Sequence, residues 1–576
     1  MILCLLFLVL HVNCPPKQGC GPFIIRRYYM RSLTSILCTL LALLLVSSAL
    51  AEAPAAGAAG ETEAPVVDGI PFHPGWDTRD NARVFYEIFV GSFSDSDGDG
   101  IGDIRGIINR LDYLNDGDPL SGKSLGVEGL WLTPVFPSPT YHKYDVTDYT
   151  AVDPAFGTLE DLQELFRLCH ERDMKVILDL PINHTSSDHR WYKNFLNAHL
   201  LHNPSNIHYD FYSWLPRDTG TPPAGRRFIK AGQDMLVEAN FSDSMPELNF
   251  DNESVRQAML DIARLWLERG ADGFRFDAAK YLYLGDHEKN VEFWTWYIGE
   301  LKKINPEVYT VAEVWDGDGI TDRYASCVNC FRFSTSQAEG LIASTAAGGD
   351  VNKYAADLEK RVTSLRQKNP EAMNIPFIAN HDTDRAAGYL TMASGRMAMA
   401  ASLYLLSPGS PFMYYGEEIG MRGSRGGANT DANRRLAMVW GDGDTVRDPV
   451  GSTYKKQTPY SAADLEKMPT SLLRFYRKVL LARKANPEIA RGDIHALSFP
   501  GTDAGGFTAV WQGSAVTVLH NTGPSAQTLD LAPFFPDGIP ALDAVLCAVP
   551  PEDFGPGAVL DGSLLTIEAQ TTVILR

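Results

Sequence analysis

The chain has 576 residues, 45% hydrophobic and 21% charged, so a large buried core is expected and disorder is excluded for most of its length. Its 71 acidic side chains against 51 basic ones leave a formal charge of −20. That balance excludes nucleic acid and anionic membranes as natural partners, because neutralising phosphates needs a basic face.

Residues 1–51 hold no acidic side chain and only Lys17, Arg26, Arg27 and Arg31 as cations. From Met30, a cation is followed by the apolar run Ile36–Val46 and then by Ala49-Leu50-Ala51. This is the pattern of a secretory signal peptide with cleavage after Ala51, too short in its apolar part for a stable membrane anchor. A secreted or periplasmic protein is expected, with Met30 as its start. Residues 52–78 begin rich in Ala, Gly, Pro and Glu and read as a linker. Four cysteines fall in the leader; Cys169, Cys327, Cys330 and Cys547 are too few for a disulfide framework. Cys327 and Cys330 read as a local disulfide or as two incidental thiols.

From about residue 80, short apolar runs alternate with amphipathic helices. Strand candidates are Val84–Phe89, Gly129–Leu132, Val176–Leu180, Gly273–Phe276, Val308–Ala312, Phe331–Phe333, Pro376–Ala379 and Phe412–Tyr415. Their near-continuous apolar character suits parallel strands covered on both faces. In Leu159–His170, Leu162, Leu165, Phe166 and Cys169 share one helical face, and Thr158 with Asp161 supplies a capping-box start. Ser254–Arg269 is a second such helix. Eight strand–helix units predict an α/β fold, a (β/α)₈ TIM barrel over residues 79–490. The interval 185–247 is too long for an ordinary loop and reads as an inserted domain after the third strand. After the helical Ser471–Ala485, short β-like runs separated by Gly, Pro and Asp predict a C-terminal antiparallel β-sandwich over 491–576.

The loop after the first strand carries Asp95, Asp97, Asp99 and Asp103 at alternating positions among glycines, which suits a hard, oxygen-seeking cation. It is not an EF-hand, since Gly106 stands where the bidentate Glu belongs. Polar residues also gather at strand C-terminal ends, which in a barrel form one rim. Alternation in Gly273-Phe274-Arg275-Phe276-Asp277 sends Arg275 and Asp277 to the barrel axis and both phenylalanines outward. The fifth strand ends at Glu313, the seventh at Asn380-His381-Asp382, and the third runs from Asp179 to Asn183-His184.

These segments resemble the signatures of the α-amylase superfamily of glycoside hydrolases, over about residues 80–485. Asp179 with Asn183-His184, Gly273–Asp277, Glu313 and Asn380–Asp382 match the four signatures in order, and Met245-Pro246-Glu247-Leu248-Asn249 matches the auxiliary motif with Glu where Asp is usual. The resemblance implies Asp277 as nucleophile, Glu313 as general acid and base, and Asp382 as the third carboxylate. It implies sugar contacts from His142, Tyr144, Asp145, His184, Arg275, Lys280 and His381, with Tyr144 as an aromatic platform. The loop at 95–103 is similar to the calcium loop of oligo-1,6-glucosidase-like members. This implies structural calcium held by Asp95, Asp97, Asp99, Asp103 and the Ile101 carbonyl. A second calcium near Asn183 stays open, because Tyr281 stands where a His usually follows the Lys. Asp277-Ala278-Ala279-Lys280 is similar to α-1,4-acting members, and the mixture of features is similar to bacterial α-amylases intermediate between oligo-1,6-glucosidases and neopullulanases. The expected activity is endo-hydrolysis of starch or maltodextrins with retention, by a monomer. An exo-acting α-glucosidase or cyclomaltodextrinase is the alternative. A non-catalytic carbohydrate-binding relative would be expected to have lost carboxylates that are present here.

Overall fold

The computed structural model describes residues 65–73, 78–218, 221–390, 395–423, 430–455, 457–548 and 556–576. The expected leader, its cleavage site after Ala51 and most of the expected linker lie outside the described residues. Seven strands form one parallel sheet, in the spatial order Asn329–Cys330, Tyr309–Ala312, Gly273–Phe276, Lys175–Leu180, Gly129–Leu132, Phe85–Ile88 and Phe412–Tyr414. Every pairing in it is parallel. The remaining stave is the segment around Pro376. Arg332 N donates to Ile375 O at 2.9 Å on one side, while Ser410 N and Phe412 N donate to Asn374 O and Pro376 O at 2.9 and 3.0 Å on the other. The sheet therefore closes into a barrel through this segment.

Pro376–Ala379, expected as a regular strand, forms no strand ladder. Pro376 has no N–H to donate, so bonding on that stave is limited to isolated contacts such as the parallel bridge Phe331↔Ile375. The sixth strand lies two residues before its expected position: its ladder spans Asn329–Cys330, Phe331 adds a single bridge, and Phe333–Thr335 turns into a 3₁₀ helix. Part of the expected linker is also structured. Val66–Val67 pairs with Ile70–Pro71 in a small hairpin, and Ile70 is wholly buried.

The interior of the barrel is an aromatic and aliphatic plug of Phe85, Trp131, Ile177, Tyr309, Val311, Phe331, Ile375, Phe377 and Phe412. The fourth stave alone places Arg275 there, in register between Asp179 and Val311. Phe274 and Phe276 point into the outer core beneath the helices, as alternation requires. The helix Leu159–His170 starts with the complete capping box from Thr158 and Asp161. Glu253–Glu268 buries Met259, Ile262, Ala263 and Trp266 against the barrel.

Between the third and fourth strands the chain leaves the barrel, and the bridge His184↔Glu247 forms the neck of that excursion. It holds a helix, Arg190–Leu200, and an antiparallel sheet in the order Trp214–Pro216, Met235–Glu238, Phe228–Ala231. After Leu472–Ala485, capped by Ser471, the C-terminal region forms antiparallel sheets of five and three strands with their own apolar core.

Gly273 stands where the fourth strand passes closest to the fifth. A Cβ there would lie 1.8 Å from the Tyr309 carbonyl oxygen, backbone that cannot move without breaking the ladder. Gly273→Ala is therefore expected to destabilise by at least the ~1–3 kcal/mol typical of overpacking. Chemical denaturation followed by circular dichroism checks this; a variant as stable as wild type would contradict it.

Candidate active site

Arg275 is fully buried at the end of the fourth strand, and its guanidinium gathers three carboxylates. Nη1 donates to Asp277 Oδ1 at 2.7 Å and to both oxygens of Asp179 at 2.8 and 2.9 Å, while Nη2 donates to Glu313 Oε2 at 2.6 Å. Burial works against its charge, but Asp179, Tyr144, Glu313 and Asp277 hold its pKa well above the usual value. Asp277 and Glu313 thus lie against two nitrogens of one planar group. Ala278, with φ of +47°, turns the chain sharply after Asp277 and aims its N–H at Glu313 Oε2 at 3.1 Å. A left-handed alanine is a locally strained residue held by its surroundings, here beside the reacting pair.

Burial raises all three carboxyl groups on Arg275. For Asp179 and Asp277, Arg275 partly offsets it. Glu313 is pushed up to about 7: burial acts first, Arg275 opposes it, and the charges of Asp277 and Asp382 add to it. Asp382 differs. Burial would raise it, yet His381 and Arg435 hold it well below the ordinary carboxylate range. Arg435 Nη2 donates to Asp382 Oδ1 at 2.6 Å, and His381 Nε2 lies 3.0 Å from Oδ2.

His381 is fully buried and clamped from both nitrogens. Nδ1 donates to Glu87 Oε1 at 2.5 Å, and Nε2 reaches the Tyr144 hydroxyl at 2.7 Å. Tyr144 lies parallel to the imidazole, with ring centres 5.4 Å apart, and its O–H donates to Asp179 Oδ2 at 2.8 Å. Against the cost of burial, Asp382 and Glu87 carry the His381 pKa up to about 10. The imidazole is therefore a cation at neutral pH.

Asp277, Glu313, Asp382, Arg275, His381 and Tyr144 lie together at the rim, and the other residues expected to contact sugar have partners of their own within the protein. His142 and His184 are both neutral, burial pulling each down to about 4. His142 Nδ1 accepts from Tyr144 N at 3.1 Å. His184 has both ring nitrogens engaged within the protein, Nε2 donating to Tyr144 O at 3.3 Å and Nδ1 facing the Asn183 amide at 3.4 Å. Asp145 is buried and ties its own loop together through Ser138 and Thr140. Lys280 reaches across to Trp315 O at 2.6 Å and Asp316 Oδ2 at 3.1 Å.

In the loop at 95–103, Asp95, Asp97 and Asp99 each present a carboxylate oxygen, all within 4.8 Å of one another. Asp103 is not part of that set. It caps the helix Ile104–Asn109, accepting from Gly106 N at 2.6 Å, and both its oxygens bond Ser96. Asp103, expected as a fourth ligand, caps this helix, since a short carboxylate immediately before a helix satisfies an otherwise orphaned N–H. Ile101 lies on the same turn with its side chain exposed and its N–H donating to Asp99 Oδ1 at 2.7 Å.

Sequence reasoning missed Glu87, Arg435 and the indole of Trp131, which donates to Asp179 Oδ2 at 3.2 Å. An acid inside the apolar run Phe85–Ile88 is a signal that reveals Glu87; Arg435 lies in a long loop with no local mark.

A closed parallel barrel whose rim holds a carboxylate pair on a buried arginine defines a class of barrel enzymes. Residues 87–492 match the family described as "Alpha amylase, catalytic domain". "Alpha-amylase 3" of Dictyoglomus thermophilum is 35% identical over 458 residues, 78% of this chain and 86% of that protein. An oligo-1,6-glucosidase of Bacillus cereus is 32% identical over 68% of this chain and 72% of its own length. Among solved structures, Eubacterium rectale Amy13B superposes with a TM-score of 0.79 at 31% identity, covering 88% of this chain and 97% of that one. The chain belongs to the alpha-amylase family, an α-glucan-active enzyme family.

The Glu87–His381 pair makes stability depend on pH. A raised histidine contributes stability that is fully present below its unfolded pKa, about 6.5, and lost as pH rises through about 10. Glu87→Gln removes one of the two anions holding that proton, so the fall in unfolding free energy between pH 7 and 10 is expected to shrink, by about 1.4 kcal/mol per unit of lowered pKa. Urea unfolding of both proteins at the two pH values measures it; parallel pH profiles would refute the coupling.

Proposed function

We propose that this chain is an α-amylase that cuts internal α-1,4-glucosidic bonds of starch and maltodextrins with retention. The observation that carries the reading is the Asp277–Glu313 pair, each held by its own nitrogen of one guanidinium at 2.7 and 2.6 Å. Inverting enzymes need room for a water between their carboxyl groups, roughly 6.5–9.5 Å, whereas retaining pairs lie closer. Asp277 acts as nucleophile: its carboxylate bonds to the anomeric carbon while the bond to the glycosidic oxygen breaks, and the Glu313 proton passes to that oxygen. A water then attacks the same carbon, giving its proton to the Glu313 carboxylate, and the ester to Asp277 breaks. Arg275 opposes the burial that raises Asp277 and so favours its carboxylate form, and the raised pKa of Glu313 keeps its proton available near neutrality. Asp382, ionised between His381 and Arg435, accepts hydrogen bonds from hydroxyls of the sugar under attack.

The α-1,4 preference rests on the sequence after Asp277 and on the name of the Dictyoglomus relative; the Bacillus cereus relative, named an oligo-1,6-glucosidase, supports a glucosidase as the alternative. Mid-length products appearing first from maltoheptaose support internal cleavage, whereas glucose alone from the outset overturns it. Action outside the cytoplasm is part of the proposal, resting on the pattern from Met30 to Ala51.

Glu313→Gln is expected to lower kcat on soluble starch about 10²–10⁴-fold. Because the protonated form of Glu313 is required, kcat/KM of wild type is expected to fall as pH rises through about 7. A Gln variant with wild-type turnover, or an activity plateau reaching pH 9, would overturn the assignment.

A structural calcium ion at Asp95, Asp97 and Asp99 is also proposed. Their clustered carboxylate oxygens, on a turn where Gly98 and Gly100 take positive φ, fit a hard cation, which would tie this turn together. Calcium is expected to raise Tm over an EDTA-treated sample, and Asp97→Asn with Asp99→Asn to abolish the difference; equal melting with and without calcium in wild type would dismiss the ion.

A further inference from the structure

One loop of the inserted domain is apolar and uncharged in a chain that is otherwise strongly acidic. The helix before it, Arg190–Leu200, buries Tyr192, Phe195 and Ala198, and Leu200 and Leu201 fall off that face as the helix ends. They are 76% and 74% exposed, and Ile207, further along the loop, is 61% exposed. Single exposed apolar residues are ordinary, but no other stretch of similar length among the described residues exposes three large ones. The loop is also held in shape. Its ends are clasped by His199, whose Nε2 donates to Tyr209 O at 2.8 Å and whose ring stacks on that of Tyr209 with centres 3.9 Å apart. The Trp214 ring closes edge-on against the same imidazole, at 4.4 Å. From Asn194 to Tyr209 the sequence holds no Asp, Glu, Lys or Arg, although the whole chain carries a formal charge of −20.

We propose that this loop is a self-association surface through which two copies of the chain pair about a two-fold axis, in place of the monomer expected from the sequence. The three side chains present roughly 400 Å² of apolar surface, a size at which an exposed patch marks a site of interaction. His202, Asn203, Pro204 and Ser205 are exposed around them. With that rim the loop approaches the ~800 Å² per partner of a standard interface. The occupant follows from charge. Two strongly anionic molecules repel over most of their surfaces, and that repulsion is least where an uncharged patch meets its own copy. An anionic membrane is disfavoured by the same charge. Branched aliphatic tips offer a sugar neither a flat ring to stack on nor a hydrogen bond. A two-fold contact sets each patch against its equal, so Leu200, Leu201 and Ile207 of the two copies cover one another. Because the His199 clasp already fixes the loop, little chain freedom is lost on pairing.

Sedimentation equilibrium from about 1 to 100 μM covers the range expected of an interface of this size. The weight-average mass of wild type is expected to rise towards twice that of one chain. Leu200→Asp with Leu201→Asp is expected to weaken association at least about 100-fold, because like charges then meet across the axis, with Tm unchanged at these exposed positions. Ile207→Asp, which lies outside the helix, is expected to weaken it at least about tenfold by the same repulsion. Val450→Asp puts an equal charge at another exposed apolar position and is expected to leave the dimer intact. A wild type that stays monomeric at the highest concentration, or a dimer that survives the substitutions at 200, 201 and 207, would overturn the surface. So would loss of the dimer in Val450→Asp. Monomers that bind phosphatidylcholine vesicles or starch granules through Leu200 and Leu201 would overturn it too, giving the loop to that partner instead.

Discussion

The guanidinium of Arg275 is the constraint on which the site depends. It occupies a position in the barrel interior where other staves send Phe, Trp, Ile or Tyr, and it is wholly enclosed. A buried cation is tolerable only if it is paired and hydrogen-bonded. Asp179 meets that need from the neighbouring stave, and Asp277 and Glu313 are brought in by the same group. With His381 and Arg435 as the other nearby cations, the cluster sets three positive charges against five carboxylates, Glu87, Asp179, Asp277, Glu313 and Asp382. The deficit in positive charge is relieved by retaining protons on carboxyl groups. Glu313, pressed by Asp277 and Asp382 but sharing Arg275 with two competitors, is well placed to hold one. The acid of the reaction is thus a consequence of charge balance as much as of its own position.

The contrast between Asp382 and Glu313 follows from the same geometry. Both are carboxyl groups at the cleft with partly exposed side chains. Asp382 faces a cationic imidazole and an arginine of its own and stays ionised; Glu313 shares its only guanidinium. Two like groups in one cleft are driven in opposite directions from the ordinary carboxylate range by their neighbours, the separation that acid–base roles require.

Much of this was legible in the sequence, because strand alternation and strand-end position are local properties. Arg275 and Asp277 had to face one way once Phe274 and Phe276 faced the other. Glu87 escaped because an acid among Phe85, Tyr86 and Ile88 reads as an interruption of a strand rather than as a partner for an imidazole 294 residues away. Arg435 escaped because nothing near it in the chain predicts where its loop returns. Asp103 shows a different limit: a carboxylate spaced for a metal and one placed to cap a helix look alike until the backbone shows which N–H groups point at it. The stave at Pro376 was legible as apolar and extended, yet proline's missing donor decided its hydrogen bonding.

Such a cluster is costly to a fold, and the barrel shows how the cost is met. Enclosing several charges forfeits their hydration, and even well-paired ions recover only part of it. The compensation is close at hand: a continuous apolar plug lies beneath the rim, and a second apolar layer joins strands to helices. The polar atoms of the rim are joined to one another through Tyr144, Trp131 and the Ala278 N–H rather than left to water. Groups fixed in this way need little reorganisation when charge develops on a substrate, which is the main advantage a preorganised site has over solvent. The inserted domain contributes no carboxylate to this cluster. It adds Phe241, a half-exposed ring seated against His184 and Tyr281, so its surface lies outside the charge balance that sets the chemistry.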